Sequence, residues 1–405
     1  MPKRFIKQSK KASIQPAGII GRVIEGEVRD VINNGAGVIA TESGLTVFVW
    51  GVWLGETVRV KITSLKKRIA EGQLQEVLLA SAARREVRCQ YAKADGKESK
   101  AFGSKAQCGG CLWQHVDYSA QIEQKQRWVQ QAFGAFTDKI LPCRPSASEW
   151  EYRNRAEFKS DGKKLGYVAR QSHELVDVDL CPVLNRENQT HLTSLREKLP
   201  NNAWQKRQIK GKASYTLLAV DDELEGDVIA NQRRPFKQGN TEQNLFMRAW
   251  LSERLAKLPT VYHVAELFCG SGNFTEVISQ RPFACINATE GDKNSLAFLA
   301  AKKLPNVVTQ VVNAFDEQAF GEYIKGISPF DVLVLDPPRD GLKVIAPVLE
   351  QPSLKHIFYI SCDLATCRRD VERFCEAGFE IDEVQPLDQF PQTPHLELCV
   401  ALTRA

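Results

Sequence analysis

From Phe236 to the C-terminus, short apolar runs alternate with stretches of helical periodicity. Candidate strands are 263–268, 284–290, 307–313, 332–336 and 357–361, with helices between most of them. That alternation builds a doubly wound, mainly parallel sheet, and it confines a ligand to the crevice beyond the carboxyl ends of the strands. The chain of 405 residues is also too long for one ordinary core, so further domains must precede this one.

The first of these strands runs through Val264-Ala-Glu-Leu-Phe-Cys-Gly-Ser-Gly-Asn-Phe-Thr275 into a glycine turn and then a helix. Gly270 and Gly272 let the backbone approach a ligand closely, and the helix start offers unbonded N–H groups. A GxG alone is common in tight turns. Glu290 strengthens it, because an acid ending the next strand accepts hydrogen bonds from a ribose diol. A pyrophosphate loop reads GxGxxG, whereas the position after Asn273-Phe274 is Thr275. The loop therefore suits a nucleoside without phosphates, and S-adenosylmethionine is favoured over a dinucleotide.

Asp336-Pro-Pro closes the fourth strand, but the next residue is Arg339, where enzymes that methylate amino groups often carry an aromatic ring. The fifth strand ends at Cys362, among the polar residues Ser361, Asp363 and Thr366. A lone cysteine in an apolar strand is more often core, yet these neighbours argue for a position facing the crevice. Carbon 5 of uracil is a poor nucleophile until a thiolate adds to carbon 6, so its methylation needs a Cys, a carboxylate base and a placed methyl donor. Glu397 heads the apolar run 398–402, where burial would raise its pKa toward that of a general base.

Together these segments resemble the RNA (uracil-5-)-methyltransferase family, and the likeness spans nearly the whole chain. FKQGNTEQN at 236–244, ELFCGSGNF at 266–274, DPPR at 336–339, SCDLATCRRD at 361–370 and FPQTPHLE at 390–397 follow its motifs in order. The resemblance implies that Cys362 is the nucleophile and Glu397 the base, with Asp336 bordering the methyl donor and the uracil. It makes Gln238 a cofactor contact, and Phe268, Asn273 and Asn313 complete the expected cofactor set. Glu266 departs from the family's usual Asp by one methylene.

Residues 17–82 alternate apolar and polar, with turns at Asn33-Asn34-Gly35 and Ser43-Gly44. Segments 26–32, 36–41, 45–49 and 57–66 read as strands of a small five-stranded barrel, with Lys66, Lys67 and Arg68 at or beyond the last. GEVRDVINNGAGVIATESGLTVFVWGVWLGETVRVKI resembles the TRAM domain, a small OB-like RNA-binding barrel. The expected organisation is a multidomain α/β chain. It has a basic arm (1–16), a TRAM-like barrel (17–82), a central α+β domain (83–235) and a Rossmann-like class I methyltransferase domain (236–405).

In the central region the spacing predicts a helix over 118–136 and hairpin strands within 151–177. Cys89, Cys108-Gly-Gly-Cys111 and Cys181-Pro form a second constellation, able in principle to bind zinc or an iron–sulfur cluster. CGGCLWQHVDY and CPV resemble the segments with which many RNA uracil methyltransferases hold a [4Fe–4S] cluster, so the resemblance implies that cluster, with zinc the alternative. The polar, lysine-rich stretch QYAKADGKESKAFGSKAQ between Cys89 and Cys108 is longer than the family's, which leaves Cys89 the weakest of the four assignments.

Eleven cysteines and an N-terminus without an apolar signal segment point to a reducing cytoplasm rather than a disulfide framework. No apolar run approaches a membrane span. The first 13 residues carry five basic and no acidic side chains, and the whole chain is +5, so the remainder is near neutral. Such an arm suits RNA, although a solvated tail has the same composition. With Arg153, Arg155, Arg233, Arg234 and Lys237 it makes RNA the expected partner. The barrel-plus-cluster arrangement favours 23S ribosomal RNA, with the transfer RNA T-loop the alternative, and no obligate protein partner is evident in what reads as a monomer. A cytosine-5 enzyme would show a second cysteine after Asp-Pro, and a radical enzyme a CxxxCxxC loop. A non-catalytic RNA-binding protein would have lost Cys362 or Glu397.

Overall fold

The computed structural model describes residues 18–41, 44–92, 107–170, 172–209, 212–327 and 329–404; the basic arm and most of the lysine-rich stretch before Cys108 lie outside these. Two compact units divide the chain. One runs to Asp117 and takes in Ala169–Ser172; the other holds Tyr118–Val168 and everything from His173 onward.

In the first unit, β1 (Val23–Val31), β2 (Gly37–Ala40), β3 (Thr46–Val49), β4 (Thr57–Lys66) and β5 (Ile69–Leu79) close into a barrel in the order β1-β2-β3-β5-β4. Alternation fixes which side chains point inward. Val58, Val60 and Ile62 of β4 are fully buried, while Arg59 between them pairs outside with Glu25 and Glu76. The expected last strand is followed by one more, because Lys67 takes a positive φ of 59° and turns the chain into β5. Buried Glu56 gathers the Trp53 N–H (2.8 Å) and the Arg84 guanidinium (2.5 Å), which satisfies a charge that burial alone would make costly.

The second unit opens with α1 (Tyr118–Phe133). It continues through β6 (Arg155–Ser160), β7 (Leu165–Val168), β8 (Leu175–Asp177), α2 (Arg186–Glu197), β9 (Arg207–Ile209), β10 (Lys212–Ser214) and β11 (Thr216–Asp221). These supply a four-stranded antiparallel sheet, β11-β6-β7-β8, and a separate β9-β10 ribbon. The doubly wound part follows: α3 (Thr241–Leu255), β12 (His263–Leu267), α4 (Thr275–Ser279), β13 (Cys285–Glu290), α5 (Lys293–Ala301), β14 (Val307–Val311) and α6 (Glu317–Gly326). It ends with β15 (Val332–Leu335), α7 (Ala346–Leu349), β16 (His356–Ser361), α8 (Leu364–Glu376), β17 (Glu380–Leu387) and β18 (Glu397–Thr403).

Seven of these strands form one sheet in the order β14-β13-β12-β15-β16-β18-β17, parallel as far as β16 and antiparallel through β18 and β17. Met247, Trp250, Leu251 and Leu255 of α3 pack with Val264, Val332, Val334, Phe358 and Ile360 in one buried cluster. Asn240 caps α3 by accepting the Gln243 N–H, and Asp363 caps α8 by accepting the Thr366 N–H. No helix among the described residues is long and apolar enough to cross a membrane.

Gly166 on β7 has no room for a side chain: a Cβ there would stand 2.2 Å from the Val176 carbonyl oxygen on β8. Gly166→Ala is expected to lower the stability of the second unit by about 1–3 kcal/mol. Urea unfolding followed by tryptophan fluorescence checks this, and a midpoint unchanged from wild type would refute it.

Candidate active site

The parallel strands β12, β13, β15 and β16 all end at the same edge of the sheet, and the residues just past them define the crevice. After β12 the chain turns through Phe268 (φ 63°), Gly270 (φ 55°) and Gly272 (φ 95°). A Cβ on Gly272 would meet the Leu299 side chain at 2.6 Å, so this turn fits only a glycine there. Glu290, at the end of β13, accepts the Gly270 N–H (3.1 Å) and the Asp292 N–H (2.9 Å) and holds the turn open from the neighbouring strand. Asn273 exchanges reciprocal amide hydrogen bonds with Asn244 of α3 (2.9 and 3.1 Å), which ties the turn to that helix.

Asn313, beyond β14, is exposed, and its side chain accepts the Phe315 N–H (3.1 Å). Phe315 lies 5.7 Å from Phe268, ring centre to ring centre, across the mouth of the turn. Gln238 is buried and accepts a hydrogen bond from Gln389 (3.2 Å).

The opposite wall comes from β16 and β18. Ser361 pairs with Leu398 at the last rung of this antiparallel ladder, so Cys362 and Glu397 each directly adjoin that rung. Half-buried Asp336, just past β15, adds a second carboxylate. Burial pushes the Cys362 thiol up to about 12, and the charges of Glu397 and Asp336 push the same way, while Arg339 opposes them. Burial raises Glu397 well above the usual carboxylate range, with Asp336 adding to the effect and Arg339 again opposing it. Asp336 itself rises to about 7 through burial and the neighbouring charge of Glu290. These mutual influences mark Asp336, Cys362 and Glu397 as one electrostatic group.

Arg339 is the member of this group that the sequence reading used only to exclude another chemistry. Its loop is fixed from α8: the Thr366 hydroxyl donates to the Arg339 carbonyl (3.0 Å). Buried Asp370 accepts the Leu342 N–H and the Tyr359 hydroxyl, each at 2.7 Å. The fourth residue of DPPR was therefore the available signal for a cation beside the thiol.

Several basic residues expected to meet phosphates are engaged with carboxylates. Lys237 pairs with Asp222 and Glu223, both at 2.6 Å, and Arg234 pairs with Asp221. Their positive field is weaker than a count of residues implies.

The cysteine constellation divides between the units. Cys89, Cys108 and Cys111 are half-buried in the first, and the Cys89 N–H donates to Gln114 (3.0 Å). Cys181 belongs to the second; its N–H donates to Gln189 (3.0 Å), and burial raises its thiol. Among the described residues, no group of three or more His, Cys, Asp or Glu side chains is arranged to hold a metal ion.

A glycine turn braced by a strand-end acid, at the carboxyl edge of a doubly wound sheet, defines a methyltransferase fold. Over nearly the whole chain that fold, with its small N-terminal barrel, matches a solved Pyrococcus abyssi tRNA (uracil-54, C5)-methyltransferase in complex with S-adenosyl-L-homocysteine. The TM-score is 0.66 at 20% identity, covering 94% of this chain and 99% of that one. The family model described as tRNA (Uracil-5-)-methyltransferase matches residues 218–405. An uncharacterized RNA methyltransferase of Nitrosomonas europaea is 34% identical over 92% of this chain and 95% of its own length. A 23S rRNA (uracil(1939)-C(5))-methyltransferase RlmD of Halomonas elongata is 29% identical over 98% and 92%. The chain belongs to the RNA (uracil-5-)-methyltransferase family.

Glu266, the departure from the family's Asp, is buried on β12. Burial raises its carboxyl from 4.5 to about 8, with Asp336 adding to the rise and Thr275 opposing it. Because the folded-state pKa is the higher one, this group's contribution to stability is complete below about 4.5 and is lost as pH rises through about 8. Glu266→Gln is therefore expected to flatten the fall in stability across that window. Chemical denaturation at both ends checks it, and a variant with the wild-type pH slope would overturn the assignment.

Proposed function

We propose that this chain, an RNA uracil-C5 methyltransferase, makes 5-methyluridine in 23S ribosomal RNA through a covalent adduct between Cys362 and the target uracil. The observation carrying this reading is that Cys362 and Glu397 adjoin the last rung of the β16–β18 ladder, where the charges of Glu397 and Asp336 act on the Cys362 thiol. S-adenosylmethionine supplies the methyl group. We assign its binding to Gly270, Gly272, Glu290, Asp336 and Gln238, together with Phe268, Asn273 and Asn313.

Cys362 loses its thiol proton to solvent and the thiolate forms a bond to C6 of the uracil, while the electron pair of the C5–C6 double bond moves into an enolate. C5 then takes the sulfonium methyl, and the carbon–sulfur bond of the donor breaks to leave a neutral thioether. Glu397 removes the C5 proton, the double bond re-forms, and the thiolate departs. A carboxylate with a raised pKa holds that proton well. The uracil must leave its stack to expose C6, and the nearby Arg153 and Arg155 suit the phosphates around an extruded nucleotide.

The preference for 23S RNA, at a position like the uracil 1939 in the name of the Halomonas relative, rests on similarity along almost the full chain. We further assign Cys89, Cys108, Cys111 and Cys181 to a [4Fe–4S] cluster. Four sulfur donors with no oxygen or nitrogen suit soft iron–sulfur chemistry, and zinc is the alternative for the same set. The cluster's role is structural, since methyl transfer involves no change of oxidation state at a metal.

Labelled S-adenosylmethionine, unmodified 23S RNA and unmodified transfer RNA test the substrate. Methyl at uracil C5 of the ribosomal RNA is expected; methyl in the T-loop instead would overturn that choice and keep the chemistry. Cys362→Ala is expected to abolish both turnover and trapping of 5-fluorouridine RNA, and a variant that still traps it would refute the nucleophile. Glu397→Gln is expected to accumulate the adduct on ordinary RNA, and rapid multiple turnover would remove it as the base. Protein purified without air is expected to hold roughly four irons and four sulfides per chain; about one zinc and no iron would replace the cluster with a zinc site.

A further inference from the structure

Lys125 of α1 and Asp388, the residue after β17, form an ion pair at 2.5 Å, and neither side chain is exposed at all. The two lie 263 residues apart in sequence. An ion pair buried this completely is a poor source of stability, since a well-packed apolar pair of similar volume usually does as well. What an ion pair provides that an apolar one does not is direction: one nitrogen, one carboxylate, one register.

Its position says which register. Leu387, the neighbour of Asp388, is the cross-strand partner of Glu397, and Gln385 and Pro386 pair with Cys399 and Leu398. Fixing Asp388 therefore fixes the rung of the β17–β18 ladder that carries Glu397. The same helix face makes further contacts with the segment between these strands. Gln121, one turn before Lys125, accepts the Gln392 N–H (3.0 Å) and donates to the Gln392 side chain (3.1 Å). Tyr118, a further turn back, accepts the Ser146 N–H (2.7 Å) and borders the Asp388 carboxylate.

Around Asp388 the backbone is held too. Its N–H donates to the Arg144 carbonyl (2.9 Å), and its carbonyl accepts from Gln243 (3.1 Å). The next side chain, Gln389, donates to Gln238 (3.2 Å), one of the residues assigned above to the methyl donor.

We infer that Lys125 and Asp388 are positioning residues for the reaction: their pair anchors α1 to the β17–β18 segment and so holds Glu397 over the face of the uracil attacked by Cys362. Neither touches a reacting atom. The inference rests on the covalent reading above, and it predicts a failure confined to the step that needs Glu397. Loss of the anchor leaves addition of the thiol and methyl transfer possible and slows removal of the C5 proton.

The test uses the full chain carrying Lys125→Met together with Asp388→Asn, which removes both charges and strands neither. Turnover is expected to fall between about tenfold and a hundredfold, with the RNA KM within about twofold of wild type. An enzyme–RNA adduct resistant to denaturant should accumulate on ordinary uridine RNA, as with Glu397→Gln. Lys125→Gln together with Asp388→Asn, which likewise removes both charges and keeps polar groups able to bond to each other, should show the same adduct at a lower level and serves if the first double variant does not fold. Wild-type turnover in a variant lacking the pair, or lost turnover without adduct, would overturn the inference. Absence of adduct in Glu397→Gln itself would instead overturn the covalent reading on which it depends.

Discussion

A parallel sheet delivers only the carboxyl ends of its strands to one edge, so any residue that must work there has to follow a strand. β18 escapes that restriction by entering the sheet antiparallel beside β16. Its first residue, rather than its last, then arrives at the working edge, and that residue is Glu397. Period-two register makes the arrangement unforgiving, because a slip of one residue would turn Glu397 to the opposite face of the sheet. The ladder is long on both sides, with six partners to β16 and seven to β17. The position of Glu397 along the sheet is thus a by-product of backbone pairing, and the surrounding side chains refine its surroundings.

The refinement is electrostatic. Asp336 and Glu397 would repel each other as anions, and burial penalises both. Arg339 offsets part of that penalty at Glu397 and at Cys362 without being buried itself. Around this group, capped helices and amide-to-carbonyl bonds hold the loops. Asp370 secures the loop after β15, and Asn240 and Gln243 secure the segment after β17. Breaking a buried ion pair by removing one partner typically costs about 3–5 kcal/mol, so Lys125 and Asp388 have to be changed together for either to be informative.

Much of this was legible in the sequence, and for local reasons. The strand ends at 267, 290, 335 and 361 follow from apolar runs bounded by glycine, acid or polar residues, and Glu397 falls at the head of an apolar run as expected. β17 was not legible: Asp382, Glu383, Gln385 and Pro386 interrupt its alternation, and proline weighs against a strand. β5 was hidden similarly, since its inward face holds Ala70, Gly72 and Leu74 between polar neighbours. The partners of the site were less legible still. Nothing near Asn273 announces Asn244, and nothing near Asp388 announces Lys125, because those pairings exist only after distant segments meet. Arg339 was visible as a residue, but its influence on Cys362 arises only when the fold brings their two loops together.

The two acids behind this edge of the sheet have a consequence of their own. Burial raises both Glu266 and Asp336, and the charge of Asp336 adds to the rise at Glu266. Neighbouring carboxyls in a poorly solvated wall resist ionising together, so loss of one proton makes loss of the next harder. They therefore share their titration, and negative charge builds up along that wall in stages rather than in a single step.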